Sequence, residues 1–194
     1  MRIETEEQAK RYIRERVQAE LSYQNNLAML LPKYAKAILK ARTQEDVELL
    51  IRSLINEIEE YINTLATAKA TEDEDEMKAI PLFLAAARGG ETMRDVITRH
   101  VGSWRDSLQA ADDYGHYPLT RYGRFMIACG WTKYLYDTSR RQGAAWFSVH
   151  RGSSYPCSTC DYECSYTHKD MDSLPPYHAH CCCYIIPIYK KGLI

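Results

Sequence analysis

Pro156-Cys157-Ser-Thr-Cys160 and Pro175-Pro-Tyr-His178-Ala-His-Cys181-Cys-Cys183-Tyr-Ile-Ile-Pro187 are the two stretches on which the reading of this chain turns. Cys157 and Cys160 sit on a tight turn, a spacing that lets both sulfurs reach one ion about 2.3 Å away without backbone strain. His178 follows Cys160 after seventeen residues, giving the pattern C-x2-C-x17-H-x2-C. That spacing belongs to two-knuckle zinc sites, and zinc favours closed tetrahedral sets of sulfur and imidazole. Residues 157–183 are therefore expected to fold around one zinc ion held by Cys157, Cys160, His178 and one or two cysteines of the 181–183 run. In an extended segment Cys181 and Cys183 face one side and Cys182 the other. Cys181 is the favoured fourth ligand and Cys183 the next.

Six of the seven cysteines fall between residues 157 and 183, together with three of the six histidines. An odd total clustered with histidines argues for metal over a disulfide framework, which would spread along the chain. Cys164 and His180 are surplus donors beside the site, read first as plain surface residues, with a supporting group or a replacement ligand as the alternatives. His150 and His168 are read as solvent-facing. Four protein ligands make a structural site, because catalytic zinc keeps a position open for water. No HExxH, no H-x-E paired with P-C-x-x-C and no Ser/His/Asp grouping is present, so the chain is expected not to be an enzyme.

On either side of the cysteines, residues 145–150 and 183–189 are short, aromatic and β-branched, and read as two strands. Upstream the period becomes helical. A helix is expected over 119–141, with Tyr122, Phe125, Met126, Cys129, Tyr134 and Leu135 inward, Arg121, Arg124, Lys133, Arg140 and Arg141 among its polar positions, and Gly143 as its C-terminal cap. Residues 4–40 carry Ile13, Val17, Leu21, Leu27, Leu30 and Leu31 on one face, with Pro32 expected to split or kink the helix. Thr43 and Asp46 form a cap for a second helix whose stripe runs through Val47, Leu50, Ile51, Leu54, Ile55, Ile58, Tyr61, Ile62 and Leu65. Residues 71–77 form an acidic run and a hinge; short helices are expected after Pro81 and from Glu91 to about 111. The expected fold is α+β, mostly α: a helical region, 1–115, then a long helix and a small zinc-stapled β-hairpin unit, 116–194.

Composition sets outer limits. The chain has 194 residues, 45% hydrophobic and 26% charged, with a net charge of −1, which suits a globular protein. Residues 1–116 hold 16 Lys/Arg against 21 Asp/Glu and residues 117–194 hold 9 against 5, short of the basic footprint of a dedicated nucleic-acid binder. No stretch of eighteen apolar residues occurs and the N-terminal residues are charged, so no membrane role and a cytosolic site of synthesis are expected.

The C-terminal segment resembles the Mu F-like phage minor head protein family, whose signature is Cys-x-x-Cys followed by His-Pro-x-Cys-Arg-Cys and an apolar strand closing on proline. Cys157, Cys160, His178, Cys181 and Cys183 occupy the motif positions; Ala179 stands in place of the proline and Cys182 in place of the arginine. The resemblance covers about residues 117–190. It implies a structural role in phage head morphogenesis: a component of the virion, bound to the portal protein or major capsid protein inside the head, supporting assembly, genome packaging or DNA delivery, with possible contact to packaged DNA. During assembly it would lie in the host cytoplasm. Two other readings stand beside it. A zinc-stapled nuclease or toxin-like effector would draw on His100, His116, Asp112 and Asp113. A zinc-ribbon nucleic-acid adaptor would stack bases on Tyr155, Tyr162, Tyr166 and Tyr177 beside Arg151 and Lys169.

Overall fold

The computed structural model describes residues 2–68, 117–178 and 181–189. The acidic run, the two helices expected between 81 and 111, and His100, His116, Asp112 and Asp113 lie outside the described residues, as do Ala179 and His180. The architecture is α+β and mostly α, with a small antiparallel sheet towards the C-terminus.

Helix α1, Glu6–Lys40, begins at Thr5, whose hydroxyl accepts from the Gln8 N–H while the Gln8 side chain accepts from the Thr5 N–H. This reciprocal capping box satisfies two of the N–H groups that a helix start leaves orphaned. At 35 residues α1 is about 52 Å long. It continues through Pro32 as one assigned helix, contrary to the expected split. A proline costs one backbone hydrogen bond and a clash with the preceding turn, and here Leu27, Leu30, Leu31 and Tyr34 are buried on both sides of it, so packing offsets that cost and the helix is not split.

The buried face of α1 is also rotated from the expected one. Leu21 is 40% exposed, and Ile13 and Val17 are half-buried. The face that packs inward is Ala9, Tyr12, Arg16, Glu20, Tyr23 and Leu27. Two charged residues hide this stripe from a hydrophobicity reading. They are buried as a pair, with Arg16 Nε 3.0 Å from Glu20 Oε1 and Glu20 Oε2 accepting from Arg124 at 3.1 Å.

Helix α2, Gln44–Thr67, starts as expected at Thr43, which accepts from the Asp46 N–H at 3.1 Å. Val47, Leu54, Ile55, Ile58 and Ile62 are buried, with Leu50, Ile51, Tyr61 and Leu65 packed at the margin. Helix α3, Tyr117–Arg141, packs against both α1 and α2. From Met126 to Thr132 every residue is buried, so α3 is a central helix rather than a one-faced amphipathic one. The expected inward placement of Phe125, Met126, Cys129, Tyr134 and Leu135 holds, Phe125 at the margin; Tyr122 lies outside the side chains described. Trp131, absent from the expected list, joins the three helices. Its indole N–H donates to Leu65 O on α2 at 2.9 Å, and its own carbonyl accepts from Tyr12 on α1 at 2.7 Å.

Gly143 ends α3 at φ +91°, a left-handed conformation that favours glycine. Strand β1, Ala144–His150, then forms the centre of a three-stranded antiparallel sheet in the order β2-β1-β3. The expected C-terminal strand is β3, Tyr184–Tyr189, which pairs Val149 with Ile185 and Phe147 with Pro187. Pro187 is tolerated because β3 is an edge strand. Strand β2, Thr167–His168, is too short to carry a sequence period and was not expected. Phe147, Val149, Tyr184 and Ile185 face the helices. A single buried cluster runs from Ile3 through α1, α2 and α3 to the cysteines and Ile185.

Candidate metal centre

Cys157 is the residue before helix α4, Ser158–Glu163, and Cys160 lies in its first turn. The Asp161 N–H bonds back to Cys157 O at 2.9 Å, so the Cys-x-x-Cys segment is a helix start and not only a loop. Arg151, just beyond β1, holds this start in place through the Asp161 carboxylate and the carbonyls of Tyr155 and Cys157. Opposite, Gly152 lies against the Cys182 backbone: a Cβ there would sit 1.9 Å from Cys182 O, so the two segments approach more closely than any other residue type allows.

These supports bring all five expected ligands together. His178 Nε2 lies 3.3 Å from Cys157 Sγ and 3.2 Å from Cys160 Sγ, and Cys160 Sγ lies 3.9 Å from Cys181 Sγ. Zinc bonds of 2.3 Å to sulfur and 2.0–2.1 Å to nitrogen place tetrahedral ligands about 3.8 Å apart for two sulfurs and about 3.6 Å for sulfur and nitrogen. The observed separations fall close to those edges, and the donor chemistry fits a borderline-soft divalent ion. The donors form two triads, each with its atoms within 4.8 Å of one another: Cys157, Cys160 and His178, and Cys160, Cys181 and Cys183. Cys160 belongs to both. Cys181 and Cys183 are buried at 3% and 2% exposure, whereas Cys182 is half-buried, as alternation along an extended segment requires.

The thiols perturb one another strongly. Hydrogen bonding from Cys183 pulls Cys181 down to about 5 against the opposing effect of burial. Cys183 is pushed up, first by holding its proton towards Cys181 and then by burial. Burial, reinforced by the Cys157 contact, pushes Cys160 up to about 12. Cys157 is lowered by a backbone hydrogen bond at Cys160, the usual effect of a helix start on a thiolate. Among these thiols Cys181 is the one favoured as thiolate, and a divalent ion would let the others ionise as well.

Several neighbouring residues differ from their expected roles. His168 is buried, not solvent-facing: it pairs with Phe147 across the sheet and its Nε2 lies 2.9 Å from Glu163 O. His150 is half-buried, stacked on Tyr184 at 5.4 Å and hydrogen-bonded to Ser148 at 2.9 Å. Both side chains work within the sheet. Cys164 is half-buried, and burial pushes its thiol up. Tyr155, Tyr162 and Tyr166 are exposed, whereas Tyr177 is half-buried and donates to Ser173 O. The Arg151 guanidinium beside them is already engaged by the helix start.

Sequence reasoning missed Arg16. It is 1% exposed and donates to Cys181 O at 2.8 Å, joining the N-terminal helix to the loop that carries the metal donors. A second tie runs from Tyr184 to the Glu6 carboxylate at 3.2 Å. The only signal for Arg16 in the sequence was its position four residues after Tyr12 and four before Glu20, which continues the buried helical face. Comparison with family models, with curated proteins and with solved structures finds no match for this chain. Among the described residues no helix is long and apolar enough to cross a membrane.

Proposed function

We propose that this protein is a non-enzymatic structural component of a phage or prophage head, bound to the portal protein or inner capsid, whose C-terminal unit is stapled by zinc. The observation that carries this reading is the convergence of Cys157, Cys160, His178, Cys181 and Cys183, the motif positions of the Mu F-like resemblance, at one place. Cys157, Cys160 and His178 supply three ligands and Cys181 or Cys183 completes the set, which leaves no position for a reacting water. The ion thereby stabilises a β-unit whose own sheet is only three strands, one of them two residues long.

A rigid end joined to helices of 24 to 35 residues suits docking better than turnover. Arg16 and Tyr184 connect the two parts, so a load taken by the helices is transmitted to the stapled unit. In this reading the protein works inside the virion, reaching it from the host cytoplasm during assembly, and its modest positive C-terminal charge tolerates packaged DNA nearby. Co-expression with the portal and major capsid proteins encoded beside it tests the assignment. Stoichiometric co-purification with portal or procapsid is expected; a protein that associates with neither would sink it.

A further inference from the structure

Of the four sulfurs in the two donor triads, Cys160, Cys181 and Cys183 are buried, and Cys157 is half-buried. Cys157 is therefore the thiol of the set that a small solute reaches first. Its Sγ lies within 4.8 Å of Cys160 Sγ, and both sulfurs face one His178 nitrogen, at 3.3 Å and 3.2 Å. Cys160 is the donor that the two triads share, so whatever removes it breaks both sets at once. The two cysteines stand three residues apart at a helix start that the Asp161 N–H closes onto Cys157 O, the arrangement of a Cys-x-x-Cys redox pair. Two sulfurs on one tetrahedral ion lie about 3.8 Å apart, whereas a disulfide draws them in to about 2.0 Å. The metal-bound and disulfide states therefore exclude each other.

We propose that Cys157 and Cys160 are an oxidation site: a hydroperoxide converts them to a disulfide, and the site gives up its ion. The inference rests on the zinc reading above and deepens it by naming what regulates the site. The Cys157 thiolate attacks one peroxide oxygen and the O–O bond breaks; Cys157 then carries a sulfenic S–OH, and hydroxide leaves. The Cys160 thiolate attacks that sulfur, forms the S–S bond and expels the second hydroxide. Sulfur gives up two electrons and the peroxide takes them, while the two hydroxides take two protons from solvent and end as water. The ion keeps its charge and leaves as Zn2+. His178, Cys181 and Cys183 are left without the donor that joined them, and the folding free energy that the ion supplied is lost. A chain made in a reducing cytoplasm and carried in a particle outside the cell would meet an oxidising medium only after release.

The test uses the full chain, reduced and loaded with zinc, exposed to millimolar hydrogen peroxide while a chromophoric chelator reports free zinc. Release of the ion is expected, with one disulfide per chain that peptide mass spectrometry places between Cys157 and Cys160. A dithiol reductant and fresh zinc should restore the bound state. Cys164→Ser, which keeps both residues of the pair, should release zinc at the wild-type rate with the same disulfide. Cys157→Ser should slow release roughly tenfold or more, because the accessible thiolate is gone; if that variant binds no zinc, the wild-type disulfide map decides alone. Zinc held through prolonged peroxide exposure, or released with a disulfide that leaves Cys157 or Cys160 reduced, overturns this inference and leaves the zinc reading standing. So does release in which both thiols end as sulfinic acids, or a Cys164→Ser chain that loses the response. A reduced chain that binds no zinc overturns both.

Discussion

Replacing Arg16 with methionine removes the one side chain that, among the described residues, is at once fully buried, ion-paired and bonded to the loop carrying Cys181. In the native chain Arg16 is 1% exposed, lies 3.0 Å from Glu20 and donates to Cys181 O at 2.8 Å. Its Nε and Glu20 Oε1 face each other without hydrogen-bond alignment, so that contact is Coulombic, while a second guanidinium nitrogen serves Cys181. Breaking a buried pair from one side costs about 3–5 kcal/mol, because the remaining charge stays in a poorly solvating interior. A buried carbonyl left without a donor adds about 1–3 kcal/mol. Arg124, still 3.1 Å from Glu20, offsets part of this, for a net loss of about 3–5 kcal/mol. Against a typical domain stability of about 5–15 kcal/mol that is a large fraction. Urea unfolding at saturating zinc, followed by far-ultraviolet circular dichroism, reads the loss directly. The double variant Arg16→Met/Glu20→Leu should recover at least about 2 kcal/mol of it, since Arg124 is partly exposed and can turn to solvent. A single-variant loss below about 1 kcal/mol, or a double variant worse than the single, would refute the reasoning.

Four further outcomes follow from the same geometry. Removing the ion with a chelator should unfold the sheet and α4, because the ion contributes folding free energy that the small β-unit lacks; strand circular dichroism unchanged by chelation contradicts this. Lowering pH should release zinc: thiolate ligands are stabilised in the folded state, so their contribution is present at neutral pH and is lost as pH falls towards about 5, where Cys181 protonates even without an ion. Chromophore-chelator titrations between pH 8 and pH 4 measure the midpoint, and tight binding retained at pH 4 is the contrary result. Gly152→Ala places a Cβ on the Cys182 carbonyl, and should cost about 1–3 kcal/mol and lower zinc affinity roughly tenfold or more. Gly143→Ala meets open space at φ +91°, and should cost about 1–2 kcal/mol of stability while leaving zinc affinity unchanged.

What was legible in the sequence follows from how local its causes are. The Thr43 cap, the stripe of α2 and the two longer strands depend on neighbours a few residues away, and the structure has each of them. That the donor groups would gather was legible because thiolate and imidazole spacing is itself a local signal. The face of α1 was not, because Arg16 and Glu20 stand where apolar residues are expected, and only Arg124, 104 residues further on, makes their burial tolerable. Pro32 does not split α1 for a related reason, since packing on both sides offsets a local penalty. Strand β2 has two residues and no period to read.

X-ray absorption at the zinc edge, taken on the full chain loaded with zinc, tests the central claim most directly. The account predicts a four-coordinate shell dominated by sulfur at about 2.3 Å with a minority of imidazole nitrogen at about 2.0–2.1 Å. That sulfur shell should shrink in Cys157→Ser and Cys181→Ser. A shell of oxygen and nitrogen alone, or one that these substitutions leave unchanged, would contradict it.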